Sequence, residues 1–144
     1  FPASRVICMD NCFAGRSMAI AQLTDRPAYR MGLPKTLDVD FIPMFHPSDP
    51  EGTTKGAMAM LKKLLARHPG EYACIWLELV AGEGGYYPGT KEYFDGLCQV
   101  CHENKVLVIF DEVQTFTRLS QPFAFQHFGL DKYADLVTLG KITQ

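Results

Sequence analysis

The feature that most constrains this chain is a series of short apolar runs separated by segments with helical patterning. Residues 106–110 form an uninterrupted apolar run, which is typical of parallel strands buried on both faces. Further runs of strand length occupy residues 5–9, 72–80 and 134–139. Strands that alternate with helices predict β-α-β units. We therefore expect an α/β fold with three αβα layers around a mostly parallel sheet.

The segments between these runs carry the expected helices. Residues 53–68 repeat apolar side chains at helical spacing before a Pro-Gly stop, and residues 90–104 form a second candidate helix. A shorter helix is predicted for residues 16–23, after a turn. Residues 41–45 are apolar but contain Pro43, which favours an edge strand or an extended connection.

Composition limits the possible partners and compartment. The 144 residues, with a net charge of −2, suit one globular domain and give no electrostatic reason to expect nucleic acid or an anionic membrane. No apolar run approaches the roughly 20 residues of a membrane span. The five cysteines are an odd number in largely apolar surroundings, so a reduced, cytoplasmic compartment is expected. The last apolar run lacks a following turn or cap, which predicts that the chain is part of a longer polypeptide.

Polar clusters follow the predicted strands. They comprise residues 11–16, 78–85 and 111–114 and the lysine at position 141. In parallel sheets, ligands bind outside the carboxyl ends of the strands. These clusters are therefore expected to converge on one crevice.

Three familiar motifs give weaker alternatives. Cys98, Cys101 and His102 match a haem-attachment pattern, but both sulfurs fall on the apolar face of the predicted helix, and core packing is the better interpretation. A zinc site with the same residues lacks a second ligand pair, so no metal is expected. Asp111 and Glu112 after an apolar strand resemble a nucleotide hydrolase, but the sequence contains no phosphate-binding G-x-x-x-x-G-K-[ST] loop.

The combination of Asp111 and Lys141 points to pyridoxal phosphate chemistry. A carboxylate can hold the pyridine nitrogen of this cofactor protonated, and a lysine amine can form a Schiff base with its aldehyde. Each residue follows an apolar run, as such a site requires.

Four motifs resemble the class III aminotransferases of the ornithine and 4-aminobutyrate type. They are Phe-Ala-Gly-Arg-Ser at 13–17, Glu-Leu-Val-Ala-Gly-Glu-Gly-Gly at 78–85, Asp-Glu-Val-Gln at 111–114 and Asp-Leu-Val-Thr-Leu-Gly-Lys at 135–141. The resemblance implies the large, cofactor-binding domain of a fold type I pyridoxal phosphate-dependent transferase. The N-terminal segment and the C-terminal small domain of such an enzyme would lie outside residues 1–144.

The resemblance also implies roles for individual residues around the cofactor. Lys141 would form the Schiff base and move the proton, and Asp111 would pair with the ring nitrogen. Gln114 would hydrogen-bond the phenolic oxygen, while Val113 and Phe13 would pack on opposite faces of the ring.

Three further residues are assigned by the same resemblance. Arg16 would bind a substrate carboxylate, Glu83 would line the substrate pocket, and Glu78 would support the cofactor indirectly. The sequence departs from the family pattern at Ala14, Leu79 and Ala81, which affects substrate choice more than chemistry. Residues 142–144 resemble the lysine 6-aminotransferase branch.

The implied activity is transfer of an amino group from an amino acid or ω-amine to a 2-oxo acid such as 2-oxoglutarate. The donor would be of the ornithine, lysine, 4-aminobutyrate or acetylornithine type. The full-length protein would be a homodimer, and the 144 residues alone would be inactive. The alternatives are aminomutase or racemase chemistry in the same family, or a nucleotide-hydrolase-like or non-catalytic α/β module.

Overall fold

The computed structural model describes residues 3–141 and contains a five-stranded parallel sheet. The strands are β1 (Arg5–Met9), β2 (Asp38–Ile42), β3 (Tyr72–Glu78), β4 (Leu107–Asp111) and β5 (Leu136–Thr138), and their order across the sheet is β2-β1-β3-β4-β5. All four strand pairs are parallel. The predicted α/β class with a mostly parallel sheet is therefore confirmed, although residues 79 and 80 continue beyond the end of β3.

Two long helices pack on each other beside the sheet. They are α2 (Pro50–Arg67), which contacts β2, and α3 (Lys91–Glu103), which contacts β4. The short helices are α1 (Pro27–Arg30) and α4 (Ala124–His127), and single 3-10 turns span Ile20–Gln22 and Asp131–Tyr133. Cys98 and Cys101 of α3 are fully buried, which confirms the core interpretation of the haem-like motif.

The helix predicted for residues 16–23 is wrong. Apart from the 3-10 turn at Ile20–Gln22, the segment consists of turns and bends. The buried hydroxyl of Thr24 accepts hydrogen bonds from the backbone N–H groups of Ala14 and Gly15 and donates one to the Gly15 carbonyl. Thr24 thus fastens the turn at residues 14–15, directly ahead of the predicted helix.

The strand predicted at residues 41–45 lies at the edge of the sheet as expected, but it begins and ends earlier, at Asp38 and Ile42. Asp38 and Asp40 belong to this strand, and their charge breaks the apolar pattern from which a strand is predicted. Arg5 of the neighbouring strand forms an ion pair with Asp40 at 2.7 Å, and Tyr72 donates to the same carboxylate at 2.8 Å. Pro43 directly follows the strand, where its missing N–H costs no ladder hydrogen bond.

No helix among residues 3–141 has both the length and the apolar composition required to cross a bilayer. Within the same range, no group of three or more His, Cys, Asp or Glu side chains is arranged to hold a metal ion.

Candidate active site

Asp111 is the last residue of β4 and lies at the carboxyl edge of the sheet. Its side chain is buried, with Oδ1 accepting from the backbone N–H of Val113 at 3.0 Å and Oδ2 accepting from the indole of Trp76 at 3.2 Å. Burial raises the pKa of Asp111, and hydrogen bonding by the Val113 backbone and by the side chains of Thr138 and Trp76 opposes that rise. The carboxylate is therefore fixed in place by the chain itself.

Glu78 stands beside Asp111, because the two residues are Cα partners in the pairing of β3 with β4. Its buried carboxylate accepts from the N–H of Phe13 at 2.9 Å and from the N–H of Gly82 at 2.8 Å. Burial raises the pKa of Glu78, while these backbone hydrogen bonds lower it and nearby Asp111 raises it further. Glu78 thus ties together the loops that follow β1 and β3.

The loop after β1 carries an aromatic and cationic cluster. The Phe13 ring meets the Tyr29 ring edge-on at 5.6 Å between centroids, and the guanidinium of Arg16 lies 4.8 Å from the Tyr29 centroid. Phe13 is half-buried and Arg16 is exposed. The guanidinium therefore lies over the Tyr29 ring while the side chain stays accessible to solvent.

Gln114 and Val113 follow Asp111 and approach two glycines. A Cβ atom at Gly82 would lie 3.2 Å from the Gln114 side chain, and one at Gly140 would lie 3.4 Å from Val113. The turn itself is fastened by Arg118, whose Nη1 donates to the Gln114 carbonyl at 2.6 Å. The absence of side chains at the two glycines lets the loops after β3, β4 and β5 come together here.

Lys141 follows Gly140 at the same edge, three residues after β5. Its side chain is exposed, and its backbone φ of 53° lies in the left-handed region that non-glycine residues seldom adopt. Strained backbone of this kind clusters at functional sites. Gly140, the residue before Lys141, packs against Val113, so the predicted lysine lies near the loop that follows Asp111.

Glu83 is exposed in the glycine-rich loop, and its backbone carbonyl accepts from Arg26 at 2.8 Å. Among residues 3–141, no ion pair links Glu83 with Arg16, so each carries its charge separately into solvent. The structure thus brings the four predicted polar clusters to one edge. Residues 142–144, which resemble the lysine 6-aminotransferase branch, lie outside the described residues.

Sequence reasoning missed three buried side chains that hold this edge together. Trp76 contacts Asp111, Thr24 binds the loop at residues 14–15, and Glu112 accepts from Thr115 and from the N–H of Phe125. Strand alternation places Trp76 on the same face as Glu78, and that parity was readable from the sequence. The partners of Thr24 and Glu112 were not readable, because they depend on how loops fold back.

Comparison with known proteins gives a consistent result. A sequence model of the family described as "Aminotransferase class-III" matches residues 3–144. The acetylornithine aminotransferase of Gloeobacter violaceus is 32% identical over 138 residues, covering 95% of this chain and 31% of that protein. The glutamate-1-semialdehyde 2,1-aminomutase of Flavobacterium johnsoniae is 31% identical over 145 residues, covering 96% of this chain and 31% of that protein.

Solved structures show the same similarity. The lysine aminotransferase of M. tuberculosis superposes with a TM-score of 0.88 and 28% sequence identity, over 99% of this chain and 34% of that one. The chain therefore spans about a third of the length of the relatives it matches.

Proposed function

The chain belongs to the class III aminotransferase family, and from that premise we propose that the polypeptide containing it is a pyridoxal phosphate-dependent transaminase. It moves an amino group from an amino acid or ω-amine of the ornithine, lysine, 4-aminobutyrate or acetylornithine type to a 2-oxo acid such as 2-oxoglutarate. One observation carries this proposal. Asp111 is buried and hydrogen-bonded at the carboxyl end of β4, and the adjacent strand β5 leads to Lys141 at the same edge of the sheet.

The residues at this edge fit the cofactor. Asp111 offers a carboxylate to a pyridinium nitrogen, Gln114 offers an amide to a phenolic oxygen, and Lys141 offers an amine to an aldehyde. Gly82 and Gly140 let the chain pass close to Gln114 and Val113, where a Cβ atom would crowd these side chains. The donor set is thus appropriate for an aromatic ring with these substituents.

Pyridoxal phosphate, when bound, supplies an electron sink that stabilises negative charge on the substrate carbon bearing the amino group. Asp111 would hold the proton on the ring nitrogen, and its buried, fixed carboxylate would need little reorganisation to do so. Nζ of Lys141 would accept the proton from that substrate carbon. Gln114 would orient the ring through its amide.

The remaining assigned residues position the ring and the substrate. Val113 and Phe13 would pack on opposite faces of the ring, and Glu78 holds the Phe13 loop through the hydrogen bond at 2.9 Å. Arg16 binds a substrate carboxylate, for which its planar fork is suited. Glu83 lines the substrate pocket from the glycine-rich loop.

The active unit extends beyond these residues. We propose that residues 1–144 form the central part of the large, cofactor-binding domain and that the complete subunit acts as a homodimer. The similarity covers only 31% to 34% of the relatives' own length, which supports a larger subunit. The 144-residue chain alone should be inactive. A reducing, cytoplasmic location agrees with five cysteines that are all free thiols.

Aminomutase chemistry is the second candidate, since an aminomutase is 31% identical over 96% of the chain. A transaminase hands the amino group to a different molecule, whereas an aminomutase returns it to the original carbon skeleton. Isotopic labelling therefore separates the two candidates.

The test supplies the complete subunit with pyridoxal phosphate, an ¹⁵N-amino donor and unlabelled 2-oxoglutarate. We expect ¹⁵N-glutamate by mass spectrometry, with lysine, ornithine, 4-aminobutyrate and acetylornithine screened as donors. Label that remains on the donor skeleton at a new position would support the aminomutase instead. If no donor loses its label, the transaminase proposal is wrong.

A further inference from the structure

Trp76 is a buried residue to which the proposed mechanism assigns no role. It lies two residues before Glu78 in β3, and strand alternation places both side chains on one face of the sheet. It is the only tryptophan among the 144 residues. Its side chain is 8% exposed, and its Nε1 donates to Oδ2 of Asp111 at 3.2 Å.

This hydrogen bond crosses between two strands. The Cα partner of Trp76 in β4 is Ile109, and the partner of Asp111 in β3 is Glu78, so the indole reaches diagonally along the sheet to the carboxylate. Diagonal neighbours lie within reach of a side chain as large as tryptophan. The contact therefore depends on an indole-sized donor.

The two oxygens of Asp111 are held by donors of different origin. Oδ1 is bound by the backbone N–H of Val113, which any residue at that position other than proline supplies, whereas Oδ2 accepts from the side chain of Trp76. The buried hydroxyl of Thr138, the Cα partner of Asp111 in β5, also lowers the pKa of this carboxyl. Two donors on two oxygens fix both the position and the rotation of a carboxylate. Removing the indole N–H would take away the donor at 3.2 Å from Oδ2 and would loosen the hold on the rotation of the carboxylate.

We propose that Trp76 is a positioning residue, whose indole N–H fixes the Asp111 carboxylate in the orientation that receives the pyridinium nitrogen. This inference rests on the proposed function, since it concerns the same site. Burial raises the pKa of Asp111, and the Trp76 hydrogen bond acts against that rise, so the same contact also favours the ionised carboxylate.

The first variants separate the N–H group from the bulk of the side chain. Trp76→Phe keeps an aromatic ring without a donor, and replacement of Trp76 by its sulfur isostere, benzothienylalanine, keeps the full shape without the N–H. The matched control is Tyr72→Phe in the same strand, which removes an aromatic donor to Asp40 near the opposite end of β3. Each is made in the complete subunit.

We expect the dissociation constant for pyridoxal phosphate to rise about tenfold in both Trp76 replacements, the scale of losing one hydrogen bond to a charged group. In Tyr72→Phe it should remain within twofold of the wild type. Cofactor affinity that falls in Trp76→Phe but is normal in the sulfur isostere would mean that packing matters and not the N–H, which overturns the inference.

A second measurement needs no cofactor. In the ¹⁵N-labelled apoprotein, the indole resonance of Trp76 is assigned by its loss in Trp76→Phe. We expect its proton shift to move upfield in Asp111→Asn, because a charged acceptor is lost; an unmoved resonance overturns the inference. A wild type that binds no pyridoxal phosphate overturns both this inference and the proposed function, whereas equal binding by wild type and both Trp76 replacements overturns this inference alone.

Discussion

At the scale of single residues, burial and the hydrogen-bond partners of each carboxylate together determine whether its pKa is raised or lowered on folding. Burial favours a raised pKa for Asp40, but the hydrogen bonds from Arg5 and Tyr72 outweigh burial and hold it below 3.8. For Glu78, burial prevails over two backbone hydrogen bonds and raises the pKa above 4.5. Two acidic residues of one sheet therefore contribute to stability with opposite pH dependence.

Asp40 should stabilise the fold at neutral pH but not in acid. Because its pKa is lowered in the folded chain, its contribution to stability is present above about pH 4 and is lost as the pH falls through the folded pKa. Asp40→Asn should therefore lower the free energy of unfolding at pH 7, and the difference from the wild type should shrink below pH 4. Denaturant titrations across this range measure it.

Glu78 should have the opposite effect on the pH dependence of stability. The folded chain binds the proton more tightly than the unfolded chain, so stability falls as the pH rises from about 4.5 through the raised pKa. Glu78→Gln should flatten that fall in the same titrations. If both variants change the slope in the same direction, the assignment of partners to these carboxylates is wrong.

Arg16 tests how the site recognises its substrate. Replacing Arg16 with Lys keeps the charge but removes the fork that binds a carboxylate through two hydrogen bonds. In the complete subunit, KM for a carboxylate-bearing substrate should rise about tenfold, the scale of one lost charge-assisted hydrogen bond, with a smaller effect on kcat.

Arg30→Lys is the matched control, because Arg30 also lies over an aromatic ring, that of Phe41, at 6.0 Å. KM for the same substrate should be unchanged in this variant. An equal rise in both variants would indicate a general effect of replacing arginine with lysine and would contradict the assigned role of Arg16.

At the scale of elements, local sequence patterns predicted the structure where burial alone decides it. The apolar run at 106–110 became β4 except for its first residue, and β4 gained Asp111. Prediction failed at residues 16–23, which follow a turn that Thr24 fastens at Gly15, and at Asp38–Asp40, where Arg5 of the neighbouring strand binds Asp40. Such partners override local propensity and are invisible to a pattern of periodicity.

The helix α2 shows how local chemistry sets an element boundary. It begins three residues before the prediction, because Asp49 caps it by accepting from the N–H of Gly52 at 2.9 Å and Pro50 occupies the first turn. The sequence Asp-Pro at this point was the available signal.

Asp49→Ala should therefore lower the free energy of unfolding by about 1 kcal/mol, as loss of a helix N-cap does. Gly56→Ala in the same helix is the control with the opposite sign. Its added Cβ would meet Pro43 at an ordinary 3.8 Å, and it should raise stability by about 0.5–1 kcal/mol. Chemical denaturation measures both, and an unchanged Asp49→Ala midpoint would contradict the capping role.

At the scale of the whole molecule, side chains near one end of the sheet join its strands, and side chains at the other end hold its loops. Near the amino ends of the strands, Arg5, Asp40 and Tyr72 join β1, β2 and β3 through hydrogen bonds. At the carboxyl ends, Glu78 and Asp111 hold the loops that carry the assigned residues. The sequence predicted that convergence because parallel strands end at one edge, but it could not predict which side chains secure it.

Lys141 is proposed to bond covalently to pyridoxal phosphate, and borohydride trapping detects that bond at the level of a single residue. The complete subunit is incubated with pyridoxal phosphate, reduced with borohydride, digested and analysed by tandem mass spectrometry, with Lys141→Ala treated identically. We predict a phosphopyridoxyl group on Lys141 in the wild type and none at this site in the variant. Absence of the adduct, or its presence only on another lysine, would contradict the account.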